Sequence, residues 1–406
     1  MTEKNKSIRN FPNSGNEPKL RFSEFTEEWK VKKLGEIGEI VNGLTYNPDN
    51  IDDSGILVLR SSNVQNRIVT LKDNVFVKTE KFNPVKENDI LICVRNGSKN
   101  LIGKNAIIKK DYEGLAFGAF MTVFRSPYNK FVFQWFDTKQ YKEIVNKNLG
   151  ATINSINGSD LKKFKVPFPS YEEQQKISSL LSLIDDRIEW SMKIITHIES
   201  LMKELREKIF SQQFRFKDDL GNNFPKWQSE KLGNIGTFFS GGTPLTSNKS
   251  YYKGNIPFIK SGEINSSTTT QFISQEALKK SSSKMVNKGD LIYALYGATS
   301  GEVGLSKIDG AINQAILCVR TTLNNLFLLN YLKLKKENIL KTYLQGGQGN
   351  LSADIVKSLT IPIPSLQEQT KIADFLSSIE EKIEIEKKTL TQYETQKKYL
   401  LANLFV

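Results

Sequence analysis

The chain is written twice. Trp29 is followed by Lys33-Leu34-Gly35-Glu36-Ile37-Gly38, and Trp227, at the same interval, by Lys231-Leu232-Gly233-Asn234-Ile235-Gly236. A glycine turn comes next in both copies, Asn42-Gly43 and Ser240-Gly241-Gly242. Then come apolar strands with polar exits. Ile56-Leu57-Val58-Leu59-Arg60-Ser61-Ser62-Asn63 matches Ile256-Pro257-Phe258-Ile259-Lys260-Ser261-Gly262-Glu263, and Asn88-Asp89-Ile90-Leu91-Ile92 matches Gly289-Asp290-Leu291-Ile292-Tyr293. A repeat of this length dictates two copies of one fold.

Each copy closes on the same box. Pro167-Phe168-Pro169-Ser170-Tyr171-Glu172-Glu173-Gln174-Gln175-Lys176-Ile177 aligns without a gap to Pro362-Ile363-Pro364-Ser365-Leu366-Gln367-Glu368-Gln369-Thr370-Lys371-Ile372, with seven of eleven positions identical. Pro-x-Pro ends an extended segment. Ser170 and Ser365 are the expected N-caps, with Glu173 and Glu368 three residues on, as in a capping box.

Helical periodicity follows each box. Ile177, Leu181, Ile184, Ile188, Ile195, Ile198, Met202, Leu205 and Ile209 form one seam, broken at Ser191. Ile372, Leu376, Ile379, Ile383, Leu390, Tyr393, Leu400 and Leu404 form the other, interrupted at Glu386 and Lys397. So narrow an apolar face cannot sustain a lone helix. The expectation is two long antiparallel coiled-coil helices, each about 50 Å along the seam. The alternative is that each helix packs on its own domain.

The expected fold class is α+β: two similar domains with twisted antiparallel sheets, separated by the two helices in a pseudo-two-fold repeat. The boundaries are a flexible tail over 1–17, a first domain over 18–170, a helical spacer over 171–215, a second domain over 216–365 and a second spacer over 366–406. Shorter helices are expected at Lys130–Lys147 and Asn325–Tyr343. The copies share scaffold residues and differ in loops such as Arg95–Lys104 and Tyr296–Glu302.

Composition narrows the function. The net charge of +13 fits a polyanionic partner. Cys93 and Cys318, far apart in apolar runs, read as buried inert thiols. The stretch Met1–Asn16 lacks the apolar core of a signal peptide, and no run reaches the roughly 18 apolar residues of a membrane span, so a cytoplasmic setting is expected. A single histidine, His197, leaves no catalytic triad or histidine-rich metal site and reads as a solvated helix position. Gly97-Ser98-Lys99-Asn100-Leu101-Ile102-Gly103-Lys104-Asn105 is one residue too long for a nucleotide-binding loop and lacks its terminal hydroxyl. Glu380-Glu381-Lys382 has the Glu-x-Lys spacing of metal nucleases but lies on the seam helix, where charge pairing is expected. No catalytic residues and no metal site are expected.

The order of copy, box and helix, twice over about residues 18–406, resembles the specificity subunit of type I restriction–modification systems. The resemblance implies two target-recognition domains that read the halves of a bipartite double-stranded DNA sequence. The helices would set the gap between the halves and dock two modification subunits. Those subunits would methylate adenine with S-adenosylmethionine, and restriction subunits using ATP and Mg²⁺ would join through them. No cofactor is expected on this chain and no membrane partner.

Strand exits and glycine-flanked loops are the expected DNA contacts. In the first copy these are Arg60, Ser61, Asn63, Arg95, Asn96, Ser98 and Lys99. In the second they are Lys260, Ser261, Glu263, Tyr296, Thr299 and Ser300, with Gln348 and Asn350 from a glycine-rich loop. Asn313-Gln314 resembles an Asn-Gln pair of the same family, but the first copy has Gly118-Ala119 there. Two other readings are an autonomous DNA-binding regulator on the same scaffold and a metal nuclease.

Overall fold

The computed structural model describes residues 8–10, 17–149, 154–343 and 350–406. Most of the expected N-terminal tail lies outside the described residues. Ile8–Asn10, within it, pairs antiparallel with Leu20–Phe22.

The chain divides into two compact units, Met1–Ser191 with Thr389–Val406, and Met192–Lys388. The division falls inside both long helices, Tyr171–Phe210 and Leu366–Leu404. They are therefore shared rather than separate spacers, because each half-helix buries its seam in a different core. In the first unit Ile177, Leu181 and Ile184 share a core with Trp29 and Phe131, and Leu400, Leu404 and Phe405 join it from the far end of the second helix. The Phe405 ring lies 6.3 Å from Trp29 and 5.4 Å from Phe131. In the second unit Met202 and Ile209 pack with Ile372, Leu376 and Phe327. Phe210 there lies 5.4 Å from Phe327 and 5.3 Å from Tyr331. The offset of 195 that separates Pro167 from Pro362 also separates Phe210 from Phe405, so the two copies exchange the same aromatic.

Helix direction is legible within the second unit. Glu199 meets Lys387 at 2.9 Å and Arg206 meets Glu380 at 3.1 Å, so a step forward on one helix is an equal step back on the other. The polar interruption at Lys397 is a lock. Its buried ammonium lies 2.8 Å from Asp137 and 2.5 Å from Asp185 in the first unit. In the second unit Glu380 receives Arg206 and, at 3.0 Å, Lys333.

Each unit holds a four-stranded antiparallel sheet in the same strand order. In the first it is Glu39–Asn42, Met121–Arg125, Ile90–Cys93, Asn105–Ile107; in the second, Gly236–Ser240, Ile316–Thr321, Leu291–Ala294, Val303–Leu305. Sequence periodicity gave no sign of one parallel pairing per unit, Ile51–Leu59 with Ala116–Phe117 and Ile256–Ile259 with Gly310–Ile312. Each joins strands far apart in the chain, as a crossover must. The helix expected over Lys130–Lys147 is two, Asn129–Trp135 and Lys139–Lys147, because Thr138 caps the second by accepting from the Tyr141 N–H at 3.2 Å. Asn325–Tyr343 is a single helix.

The boxes cap their helices as expected, with Ser170 and Ser365 each accepting from the N–H three residues on at 3.3 Å. Their glutamates do something else. Buried Glu173 takes both arms of Arg21 at 2.9 Å, and buried Glu368 takes Arg215 at 3.1 and 2.8 Å. A forked, charge-assisted pair is about twice as strong as a neutral bond, so it displaces the reach-back to a backbone N–H. Gln174 and Gln369 donate to the Pro169 and Pro364 carbonyls at 2.9 Å. The box thus pins each helix start to its own domain.

Candidate nucleic-acid interface

In the first unit two strand exits meet. Ile51–Leu59 runs into Arg60 and the 3-10 turn Ser61–Asn63, and Ile90–Cys93 runs into the loop from Arg95. The Asn96 carboxamide donates to the Ser61 hydroxyl at 3.0 Å and ties the two together. Beside them a cavity of about 520 Å³ is lined by Tyr46, Arg60, Ser61 and Phe120, among others. Arg95 is exposed and its guanidinium lies 5.7 Å from the centre of the Phe120 ring. Arg60 is half-buried and paired with Asp73 at 2.9 Å. Ser98 and Lys99 are exposed on the following loop.

Asn63 is not part of this surface. It is fully buried; its Oδ1 accepts from the Arg60 N–H at 2.9 Å and its Nδ2 donates to the Thr70 carbonyl at 3.0 Å. A carboxamide so engaged holds the turn and has no atom left for a base edge.

The second unit repeats the plan with other side chains. Lys260 is exposed at the exit of Ile256–Ile259 and Ser261 begins the turn. Glu263 stands where Asn63 stands and does the same work. Its carboxylate accepts from the Lys260 N–H at 3.2 Å, the Thr269 hydroxyl at 2.9 Å and the Thr270 N–H at 3.1 Å. Partial burial would raise its pKa, but these bonds hold it below the usual carboxylate range. Tyr296 and Thr299 are half-buried at the second exit, and the Ser300 hydroxyl donates to the Leu295 carbonyl at 2.9 Å. Asn350 is exposed; Gln348 lies outside the described residues.

The parallel pairings align Gly118-Ala119 with Asn313-Gln314. At this edge the structure adds Phe120 and Thr243, which sequence reasoning missed, to the Asn313-Gln314 pair already singled out. Gln314 is exposed and accepts from the Thr243 hydroxyl at 2.6 Å, and Phe120, more than half exposed, stands where the second unit has buried Ala315. The available signal for Phe120 was a large aromatic between a glycine turn and a strand.

Burial pushes the Cys93 thiol up to about 11 and the Cys318 thiol up to about 12, and His197 is exposed on its helix. Among the described residues no helix is long and apolar enough to cross a membrane.

The family model described as the type I restriction modification DNA specificity domain matches residues 26–200 and again 225–395. The chain belongs to this family. It is 26% identical, over 94% of both chains, to the Methanocaldococcus jannaschii protein named for the specificity subunit of type I restriction enzyme MjaX. It is 23% identical to the EcoKI specificity subunit of Escherichia coli K12, over 87% of this chain and 82% of that one. A crystal structure of a type I restriction–modification S subunit from M. genitalium has the same fold, with a TM-score of 0.65 at 20% identity, covering 96% of this chain and 99% of that one. The specificity domain is thus present twice, as the repeat requires.

Proposed function

We propose that this chain is the non-catalytic DNA-reading subunit of a type I restriction–modification complex. Its two units each read one half of a bipartite duplex target. The observation that carries this reading is one frame bearing two different edges: Arg60, Ser61, Arg95 and Asn96 with the apolar Phe120 in the first unit, and Lys260, Ser261, Tyr296, Thr243 and Gln314 in the second. Equal scaffolds with unequal edges suit two unlike half-sites, read through base edges in the major groove, while the +13 charge supplies a salt-sensitive grip on phosphates. Two modification subunits dock on the long helices and bring S-adenosylmethionine. Restriction subunits bring ATP and Mg²⁺, and the complex works in the cytoplasm.

The test is adenine methylation mapped across the host genome, with and without this gene, while the modification subunit is expressed. A bipartite motif that vanishes on deletion is the expected result. An unchanged map rejects the reading and favours an autonomous DNA-binding regulator, to be followed by binding-site selection with the purified chain.

A further inference from the structure

The first unit has a second polar hollow. A cavity of about 410 Å³ is lined by Arg67, Lys99, Lys104 and Lys142, with Asp137 the one carboxylate in its wall. That carboxylate is already engaged, by Lys397 at 2.8 Å, Lys142 at 3.2 Å and Arg67 at 3.5 Å. Arg67 is fixed in place: it donates to the Asn105 carboxamide oxygen at 2.9 Å and its guanidinium lies 3.8 Å over the Phe133 ring. The ammonium groups of Lys99 and Lys104 have no ion-pair partner among the described residues. Asn66, Asn100 and Asn146 add carboxamides to the same wall, with no side-chain hydrogen bond among the described residues. One side of the hollow is the Gly97–Asn105 string that failed as a nucleotide loop. Gly103, at φ +82°, presses that loop onto Tyr141 and Val145.

The second unit supplies an internal control. Gly301, at φ +82°, presses on Leu340 as Gly103 presses on Val145. Around it Lys104 is replaced by Glu302, which is paired with Lys336 at 2.5 Å. The fold keeps the place and the charge is reversed. The first unit's excess of cations is therefore not a by-product of the scaffold.

We propose that this cleft is a phosphate site, and that its occupant is a backbone phosphodiester of the DNA beside the first half-site. The occupant, though not the phosphate chemistry, rests on the DNA-reading role above. A phosphate contact fixes register without carrying sequence information, so the second half-site would be read without an equivalent clamp.

The test uses the full chain with its modification subunits and the double variant Lys99→Gln/Lys104→Gln, which breaks no side-chain hydrogen bond or ion pair among the described residues. Binding to a duplex carrying the methylated motif is measured against salt, and inorganic pyrophosphate binding is followed by ³¹P NMR. The expected result is a log–log salt slope shallower by about 0.9, the value for one phosphate, an unchanged ranking of intact over mutated half-sites, and lost pyrophosphate binding. An unchanged slope with lost pyrophosphate binding overturns the DNA occupant in favour of a free phosphate. Loss of the half-site ranking, or no change in either assay, overturns the site. If the wild type shows no sequence preference but the variant still loses pyrophosphate, the DNA-reading role fails and the phosphate site stands.

Discussion

The two units lock their long helices at the same place with opposite charge. In the first, a cation from the second helix, Lys397, sits between two acids, Asp137 and Asp185. In the second, an acid, Glu380, sits between two cations, Arg206 and Lys333. Glu380 is the repeat partner of Asp185 by the offset of 195. Lys333 is the partner of Asp137 in helices that both begin with an asparagine donating to a strand-end carbonyl, Asn129 to Asn88 and Asn325 to Gly289. One charge flanked by two opposite ones serves with either sign, so the geometry persists where residue identity does not. The helices are consequently not interchangeable. At the place of Lys397 the first helix carries Met202, which would leave Asp137 and Asp185 together without their shared ammonium.

The sharpest way to break the comparison is to give each lock the residue its counterpart carries. Lys397→Met removes a cation that is 7% exposed and leaves Asp185 without an ion-pair partner among the described residues, while Asp137 keeps only Arg67 and Lys142. Losing one partner of a buried pair costs about 3 kcal/mol or more, and a denaturant titration of the full chain should show it. Arg206→Leu leaves Glu380, 44% exposed, still paired with Lys333. The expected loss there is about 1 kcal/mol. Equal losses would refute the idea that the first lock depends more on its single shared charge.

Acid sharpens the same contrast. Burial would raise the Asp137 pKa, but Arg67 and Lys397 hold it well below the usual carboxylate range. A group depressed on folding stabilises fully above its unfolded pKa, about 3.9, and that contribution fades as the pH falls below it. Wild-type stability should therefore drop steeply below about pH 4, and Lys397→Met should flatten that drop; a parallel fall in both proteins would count against it.

The smaller effects separate turn-holding residues from DNA-facing ones. Asn63→Ala should destabilise the chain by about 2 kcal/mol, because it leaves the Arg60 N–H and Thr70 carbonyl without partners. Arg95→Ala should alter stability by no more than about 0.5 kcal/mol while weakening binding to the first half-site. Thermal unfolding and half-site competition, run on both variants, distinguish the two roles.

Much of the molecule was readable in one dimension. The Trp-led repeat, the Pro-x-Pro-Ser box, the helix over Asn325–Tyr343 and the two seams, from Ile177 to Ile209 and from Ile372 to Leu404, all depend on local propensity and periodicity, which neighbours in sequence determine. The partner of each seam depends on contacts between residues hundreds of positions apart, as when Phe405 enters the core around Trp29. Periodicity marks a buried face without naming what buries it. For the same reason Lys397 read as a flaw in an apolar stripe until Asp137 and Asp185 were found beside it. Asn63 and Glu263 followed the pattern of surface readers, yet their side chains turn inward to close the 3-10 turns. A strand exit is encoded locally, but the direction of a polar side chain is decided by which backbone groups the fold leaves without partners.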